Sequence, residues 1–249
     1  MLKEIVIGVA ILLSIYLIYV LLKYAKVFEG TSLSGLKKAD TSIYKISASE
    51  WNSSGSVDAN FGVIVWFYVN SWDVNYGDKK YILSRHDAAS SMTGTKQDIE
   101  AYLDESTNDL VVNFAQADGG YSTSTIQNIP IQKWVCLGIS KYNNTIDVYI
   151  DGKLADTKAG GGEERAPGAT QSFYLHGYTA DDGTNDTTQL FDGYTRNFKY
   201  YSRPLSPIEV YNVYKSSANG SILDNIFGSY KLKLSFLKNN EEVAGFGLG

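Results

Sequence analysis

The densest group of hard oxygen ligands in the sequence is Asp181-Asp182-Gly183-Thr184-Asn185-Asp186, followed by Asp192. Ca²⁺ takes about six to eight oxygens from carboxylates, amides and backbone carbonyls. Asp181, Asp182, Asn185, Asp186 and Asp192 are therefore the candidate metal ligands, and structural calcium is the one cofactor the residues suggest. Their spacing is not that of an EF-hand loop, and a solvated Asp/Asn turn accounts for the same residues equally well.

Catalytic chemistry has less to work with. A retaining glycosidase needs two carboxylates about 5–5.5 Å apart, which a strand can present from positions i and i+4 on one face. The best match is Lys96-Gln97-Asp98-Ile99-Glu100, where lysine occupies the nucleophile's position and cannot form a glycosyl ester. Asp98 and Glu100 read as solvent-facing strand residues. His86 and His176, the only histidines, are far apart in sequence with no cysteine near either, and both read as surface or rim residues. Gly160-Gly161-Gly162 lacks the Lys-Ser/Thr of a phosphate loop. The single cysteine, Cys136, sits in the apolar run Trp134 to Ile139 and reads as a small buried hydrophobe. No catalytic residue is assigned, and the expected protein is not an enzyme.

The elements around these residues fall into four parts: 1–26 an anchor, 27–50 a tether and entry strand, 51–217 a β-sandwich, and 218–249 a C-terminal strand and tail. Ile5 to Leu22 is a run without a charged residue. As a helix it is about 27 Å long, close to the hydrocarbon thickness of a bilayer, and no small-residue cleavage site follows it. It is expected to be a single transmembrane helix. Lys23, Lys26, Lys37 and Lys38 follow it and only Lys3 precedes it, which puts the body on the cytosolic side. Asn-x-Ser/Thr triplets at Asn52, Asn143, Asn185 and Asn219 would become glycan acceptors only with the opposite topology. The net charge of −5 comes without a basic stripe in the body, which argues against a nucleic-acid partner.

From Trp51 onward, short apolar runs alternate with turn residues, the pattern of an all-β sandwich. Phe61 to Val69 is apolar on both faces and reads as a central strand. Lys80 to Ser84, Asp98 to Leu103 and Leu110 to Ala115 read as a meander. Trp134 to Lys141 and Thr145 to Ile150 form a hairpin through Tyr142-Asn143-Asn144, and Asp151-Gly152 makes the next tight turn. Ser172 to Gly177 and Leu190 to Tyr201 complete the strands. Ser206, Pro207 and Glu209 mark a helix start with a capping box, and Ile208, Tyr211 and Tyr214 recur as its docking face. Trp66 and Trp134 are expected between the sheets. Trp51, Trp72, Tyr121 and Tyr178 are aromatics that either pack in the core or at the rim or stack on sugars. Tyr230 to Phe236 alternates as one further strand.

Three segments resemble the laminin-G-like pattern of the concanavalin-A-like lectin and glucanase superfamily: Phe61 to Val69, WVCLGISKYNNTIDVYIDGKL from Trp134 to Leu154, and FDGYTRNFKYYSRPLSPIEVYNVY from Phe191 to Tyr214. The resemblance implies a jelly-roll β-sandwich with one short C-terminal helix. It departs at Arg196, where the family pattern has an aspartate, so no role of that carboxylate carries over. Family relatives that hold calcium at a sandwich rim give Asp181 to Asp192 added interest. Fold alone does not set function, and two expectations stand. In the first, the protein is a non-enzymatic structural component whose sandwich contacts other proteins of a large assembly. In general character this is similar to minor capsid proteins of large icosahedral DNA viruses, which tie a virion shell to an inner membrane. In the second, it is a displayed lectin-like module that binds a glycan.

Overall fold

The computed structural model describes Gly8, Ile11 and residues 13–18, 31–51, 60–86, 97–116, 120–159, 171–177, 187–218, 232–238 and 241–248. Asp181, Asp182, Asn185, Asp186, Lys96, Tyr178, Gly160 to Gly162 and the triplet asparagines Asn52, Asn185 and Asn219 lie outside the described residues. Of the Ile5 to Leu22 run, the described residues are helical, and Ile11, Leu13, Ile15, Tyr16, Leu17 and Ile18 are all more than half exposed. No helix among the described residues is long and apolar enough to cross a membrane.

The strands in chain order are β1 (Thr31–Ser32), β2 (Lys37–Lys38), β3 (Tyr44–Ile46), β4 (Phe61–Val69), β5 (Lys80–His86), β6 (Gln97–Leu103), β7 (Leu110–Ala115), β8 (Tyr121–Ile126), β9 (Val135–Tyr142), β10 (Thr145–Ile150), β11 (Lys153–Ala159), β12 (Ser172–Leu175), β13 (Gly193–Tyr201), β14 (Leu232–Lys238) and β15 (Glu241–Leu248). Among the described residues, two helices belong to the sandwich, α1 (Ala48–Trp51) and α2 (Pro207–Ala218), with one 3-10 turn at Thr187–Gln189. A seven-stranded sheet runs β1-β13-β4-β9-β10-β11 with β2 also on β13, and a six-stranded sheet runs β3-β12-β5-β6-β7-β8. Every pairing is antiparallel. The two sheets enclose one core, as expected for a jelly-roll sandwich.

Strand β4 explains the architecture. Its β-branched and aromatic residues favour a pleated surface, and both of its faces are covered. Phe61, Val63, Val65, Phe67 and Val69 enter the core between the sheets. Ile64 and Trp66 point the other way, into a second apolar layer with Cys136, Tyr149, Tyr201, Leu205 and Val210. That layer is the underside of α2. The capping box is formed: Ser206 donates from its backbone N and its Oγ to Glu209 Oε2 at 2.8 and 2.7 Å. Burial opposes ionisation of Glu209, but Arg203 and Ser206 hold its pKa down at about 2. Leu205 packs over Gly62, where a side chain would collide with it, and its backbone N donates to Ser140 Oγ at 2.9 Å.

This anchoring corrects the expected docking face in part: Tyr214 packs inward as expected, but Ile208 and Tyr211 do not. Val210 is fully buried, with Val213 and Tyr214 partly so, whereas Ile208 and Tyr211 are 62% and 41% exposed. The hold of Leu205 on the sheet sets the helix rotation. The tryptophan expectation is corrected as well. Trp66 is buried beneath α2, stacked on Tyr214 at 5.5 Å, and not between the sheets. Trp134 precedes β9 and is half-buried on the same outer side.

The primed turns appear where expected. Asn143 has φ 51°, Asp151 φ 50° and Gly152 φ 76°, which suits the right-handed twist of the flanking strands. Strand β14 pairs with β15 in a separate two-stranded sheet, so the C-terminal segment is a hairpin and not a single strand.

Candidate functional site

Strand register assembles a polar row on the six-stranded sheet. Lys45 of β3 pairs with Tyr174 of β12, Tyr174 with Ser84 of β5, Ser84 with Glu100 of β6, Glu100 with Asn113 of β7, and Asn113 with Thr123 of β8. Their strand neighbours Phe173, Leu83, Ile99, Val112 and Phe114 enter the core, so side-chain alternation puts the row on the outer face.

The row is internally bonded. Thr123 Oγ1 donates to Asn113 Oδ1 at 2.8 Å, and Asn113 Nδ2 reaches Glu100 Oε2 and the Tyr102 hydroxyl at 3.4 Å each. Ser84 Oγ donates to the Gly177 carbonyl at 3.0 Å. Tyr81 and Tyr102 pack at 5.2 Å, Lys79 lies over Tyr102, and His86 stacks on Tyr174 at 4.2 Å. Burial raises the Glu100 pKa, while Asn113, Lys79 and Tyr81 oppose the rise. The sheet thus carries amide, hydroxyl, phenol and carboxyl groups side by side. Ser84, Tyr174, Glu100 and Asn113 are buried, while Thr123 and Thr125 at the β8 edge are exposed and open to a polar ligand.

Hydrolysis is not supported by the same geometry. Asp98 is buried, accepts from Gln171 Nε2, and lies 3.9 Å from Arg85 Nη2. Arg85 is in turn stacked over Phe61 at 4.4 Å. A carboxylate held in that way is committed to folding. Glu100 is left without a free acidic companion among the described residues. Both are buried strand residues and not solvent-facing.

The histidines are also relocated. His86 is 1% exposed and His176 is fully buried. His176 ties the two sheets: its Nδ1 is 3.2 Å from the Ser42 carbonyl and its Nε2 2.6 Å from Thr195 Oγ1 on β13. A carbonyl can only accept, so Nδ1 carries the proton and Thr195 donates to Nε2. Burial lowers the His176 pKa to about 4, against the raising influence of the Ser42 carbonyl and Asp40. The ring is neutral and structural.

Of the proposed calcium ligands, only Asp192 is described. Its Oδ2 accepts from Asn70 Nδ2 at 2.7 Å, which binds the exit of β4 to the entry of β13. No group of three or more potential ligands capable of holding a metal occurs among the described residues. Cys136 is fully buried, and burial pushes its thiol pKa up. Trp51 is core, packed edge-on against Phe173 and Tyr200. Trp72 is half-buried beneath the ammonium of Lys80, and Tyr121 is half-buried. Arg196, the departure from the family pattern, lies over Trp134 at 4.3 Å and Trp66 at 5.3 Å, so a cation–π stack fills that place.

Sequence reasoning missed Ser84, Asn113 and Tyr102 as neighbours of Glu100, and Tyr174 one strand further along the row. Each is an ordinary strand residue: Tyr102 shares the face of Glu100 by alternation along β6, and only the register between strands brings the others together.

A family model described as the Concanavalin A-like lectin/glucanases superfamily, of laminin G type, matches residues 44–211. No curated protein sequence matches the chain. Among solved structures, the receptor binding domain of botulinum neurotoxin D is similar with a TM-score of 0.54 at 12% identity, covering 73% of this chain and 43% of that one. The binding domain of Paraclostridial Mosquitocidal Protein 1 gives 0.51 at 16% identity, covering 77% and 47%. The ligand binding domain of botulinum neurotoxin serotype D in complex with N-acetylneuraminic acid gives 0.51 at 14%, covering 74% and 46%. The chain spans less than half the length of these structures, and at such identities the likeness is one of fold.

Proposed function

The chain belongs to the concanavalin A-like lectin/glucanases superfamily, and from that premise we propose that it is a binding module without catalysis, held on a membrane by Ile5 to Leu22 and joined to other proteins of a large assembly. The observation that carries the non-enzymatic part is the state of the two carboxylates. Glu100 is buried in a bonded row, and Asp98 is tied to Arg85 and Gln171. A glycosidase needs a pair free to meet substrate. Support for the anchor comes from the uncharged run and from the exposed apolar side chains of its described residues, which a bilayer would cover. The flanking lysines favour a body on the cytosolic side, where partners would be proteins and extracellular glycans are absent. A virus particle with an inner membrane is an assembly of this kind, and the role there is that of a minor capsid protein.

Glycan binding is a second reading, favoured by the polar row with its tyrosines and by a structural neighbour solved with N-acetylneuraminic acid. Flotation and ligand screening separate the two. The full chain should float with vesicles in high salt and after alkaline extraction, and deletion of residues 1–26 should leave the sandwich in the soluble fraction. A truncated protein that still floats would rule out the anchor. Specific retention of the sandwich on a glycan array, lost on Asn113→Ala, would favour glycan binding over a protein partner.

A further inference from the structure

Where the chain enters the sandwich determines which end of it can meet the bilayer. Strand β1 begins at Thr31, opposite Tyr200 of β13, and Tyr200 is opposite Val63 of β4. That row is close to the end of the sandwich where β4 starts, where Phe61 pairs with Lys141 and where Asn143 donates from its backbone N to Asn60 Oδ1 at 2.6 Å. The chain then crosses to the other end, where Lys38 of β2 pairs with Tyr194. There the 70–79 loop, the 127–134 loop and the entry to β13 are bonded together: Gln132 donates from its backbone N to the Val69 carbonyl at 2.7 Å, and Asn75 Nδ2 to the Leu190 carbonyl at 2.9 Å. At about 3.3 Å per residue, the step along β13 from Tyr200 to Tyr194 is about 20 Å.

Eight residues, 23–30, separate Leu22 from Thr31. A coil of that length spans about 15 Å, and a fully extended chain about 29 Å. Turning the far end to the bilayer would lift Thr31 by about 20 Å plus the depth of the loops, which only a nearly extended link would permit. The near end needs no extension. It also carries a fitting side chain, Tyr142, 61% exposed at the β9–β10 turn, and tyrosine is enriched at the headgroup level. Resting on the anchor reading above, we propose that the sandwich stands on the lipid surface by its Asn60 and Tyr142–Asn144 end. The 70–79 and 127–134 loops, with exposed Tyr76 and Ile131, are presented away from the bilayer.

The test uses the full chain in vesicles with an energy-transfer acceptor on the lipid headgroups. Single-site variants Tyr142→Cys and Tyr76→Cys are each labelled with a maleimide donor. Both positions are exposed, and Cys136 is fully buried with its thiol pKa raised, so the native protein serves as an unlabelled control. The two sites differ in height by about the length of nine-residue β4, roughly 30 Å. Transfer from position 142 should therefore exceed that from position 76 several-fold. Equal transfer would mean that the sandwich lies on its side, and stronger transfer from position 76 that it is inverted; either overturns the proposal while leaving the anchor intact. A chain that stays soluble on flotation overturns the anchor, and this inference with it.

Discussion

Acidification should unlock the two sheets at His176. The ring is fully buried, and its pKa in the fold is about 4 against an ordinary value of 6.5. The unfolded chain therefore binds a proton that the native protein refuses. Stability from this group is complete above the unfolded value and is lost as pH falls from about 6.5 toward 4. The full loss is about 3 kcal/mol, from 1.36 kcal/mol per unit of pKa difference, and about 2 kcal/mol is already gone at about pH 5. The charges that act on the ring are Asp40, which favours protonation, and Lys37, which opposes it. The assay is urea unfolding followed by tryptophan fluorescence, at about pH 7.5 and about pH 5, on the native protein and on His176→Asn. Asparagine tolerates the left-handed backbone at this position, φ 70°, but does not titrate. The variant should be less stable at neutral pH and should lack the native protein's extra loss on acidification. Carboxylates common to both proteins cancel in the difference. Equal pH dependence in the two would refute the assignment of a neutral, sheet-bridging imidazole.

Three further outcomes are expected. Trp66→Ala should cost about 3–5 kcal/mol in chemical unfolding, and Trp66→Phe clearly less because an aromatic ring can still stack on Tyr214; equal losses would contradict the packing beneath α2. Gly193→Ala puts a methyl group against the Tyr68 carbonyl oxygen and the Phe191 ring, and should cost about 1–3 kcal/mol by melting temperature; an unchanged melt would show that the entry to β13 is looser than described. Purified protein should not release sugar from β-glucans, and Glu100→Gln should raise stability at alkaline pH, since burial disfavours the charged carboxyl; activity lost in that variant would revive the glycosidase.

The strands that could be recognised from sequence were those whose periodicity had room to show. Strand β4, with nine residues, and the β9–β10 hairpin with its asparagine turn each carry a local signal long enough to detect. Strands β1, β2 and β3 are two or three residues long, too short for alternation, and they hide in what reads as a tether. Strand β8, Tyr121–Ile126, is serine- and threonine-rich and half-exposed, so it has no apolar face to reveal it. The capping box located α2 because it is local, while the helix rotation escaped because it depends on Leu205 meeting Gly62 from another strand.

The same distinction applies to the site. Lys96 to Glu100 stands out in sequence because strand spacing suggests catalysis, yet the fate of Asp98 and Glu100 is decided by partners far along the chain. Gln171 meets Asp98, and Asn113 meets Glu100 through the β6–β7 register. His176 carries no sequence signal for burial, and its role comes from Thr195 on the opposite sheet and Ser42 in the entry segment. A buried polar group remains in a fold when its partners satisfy it. Here those partners come from separate strands, so the polar chemistry of this sandwich is a property of its pairing and is accessible only once the register is known.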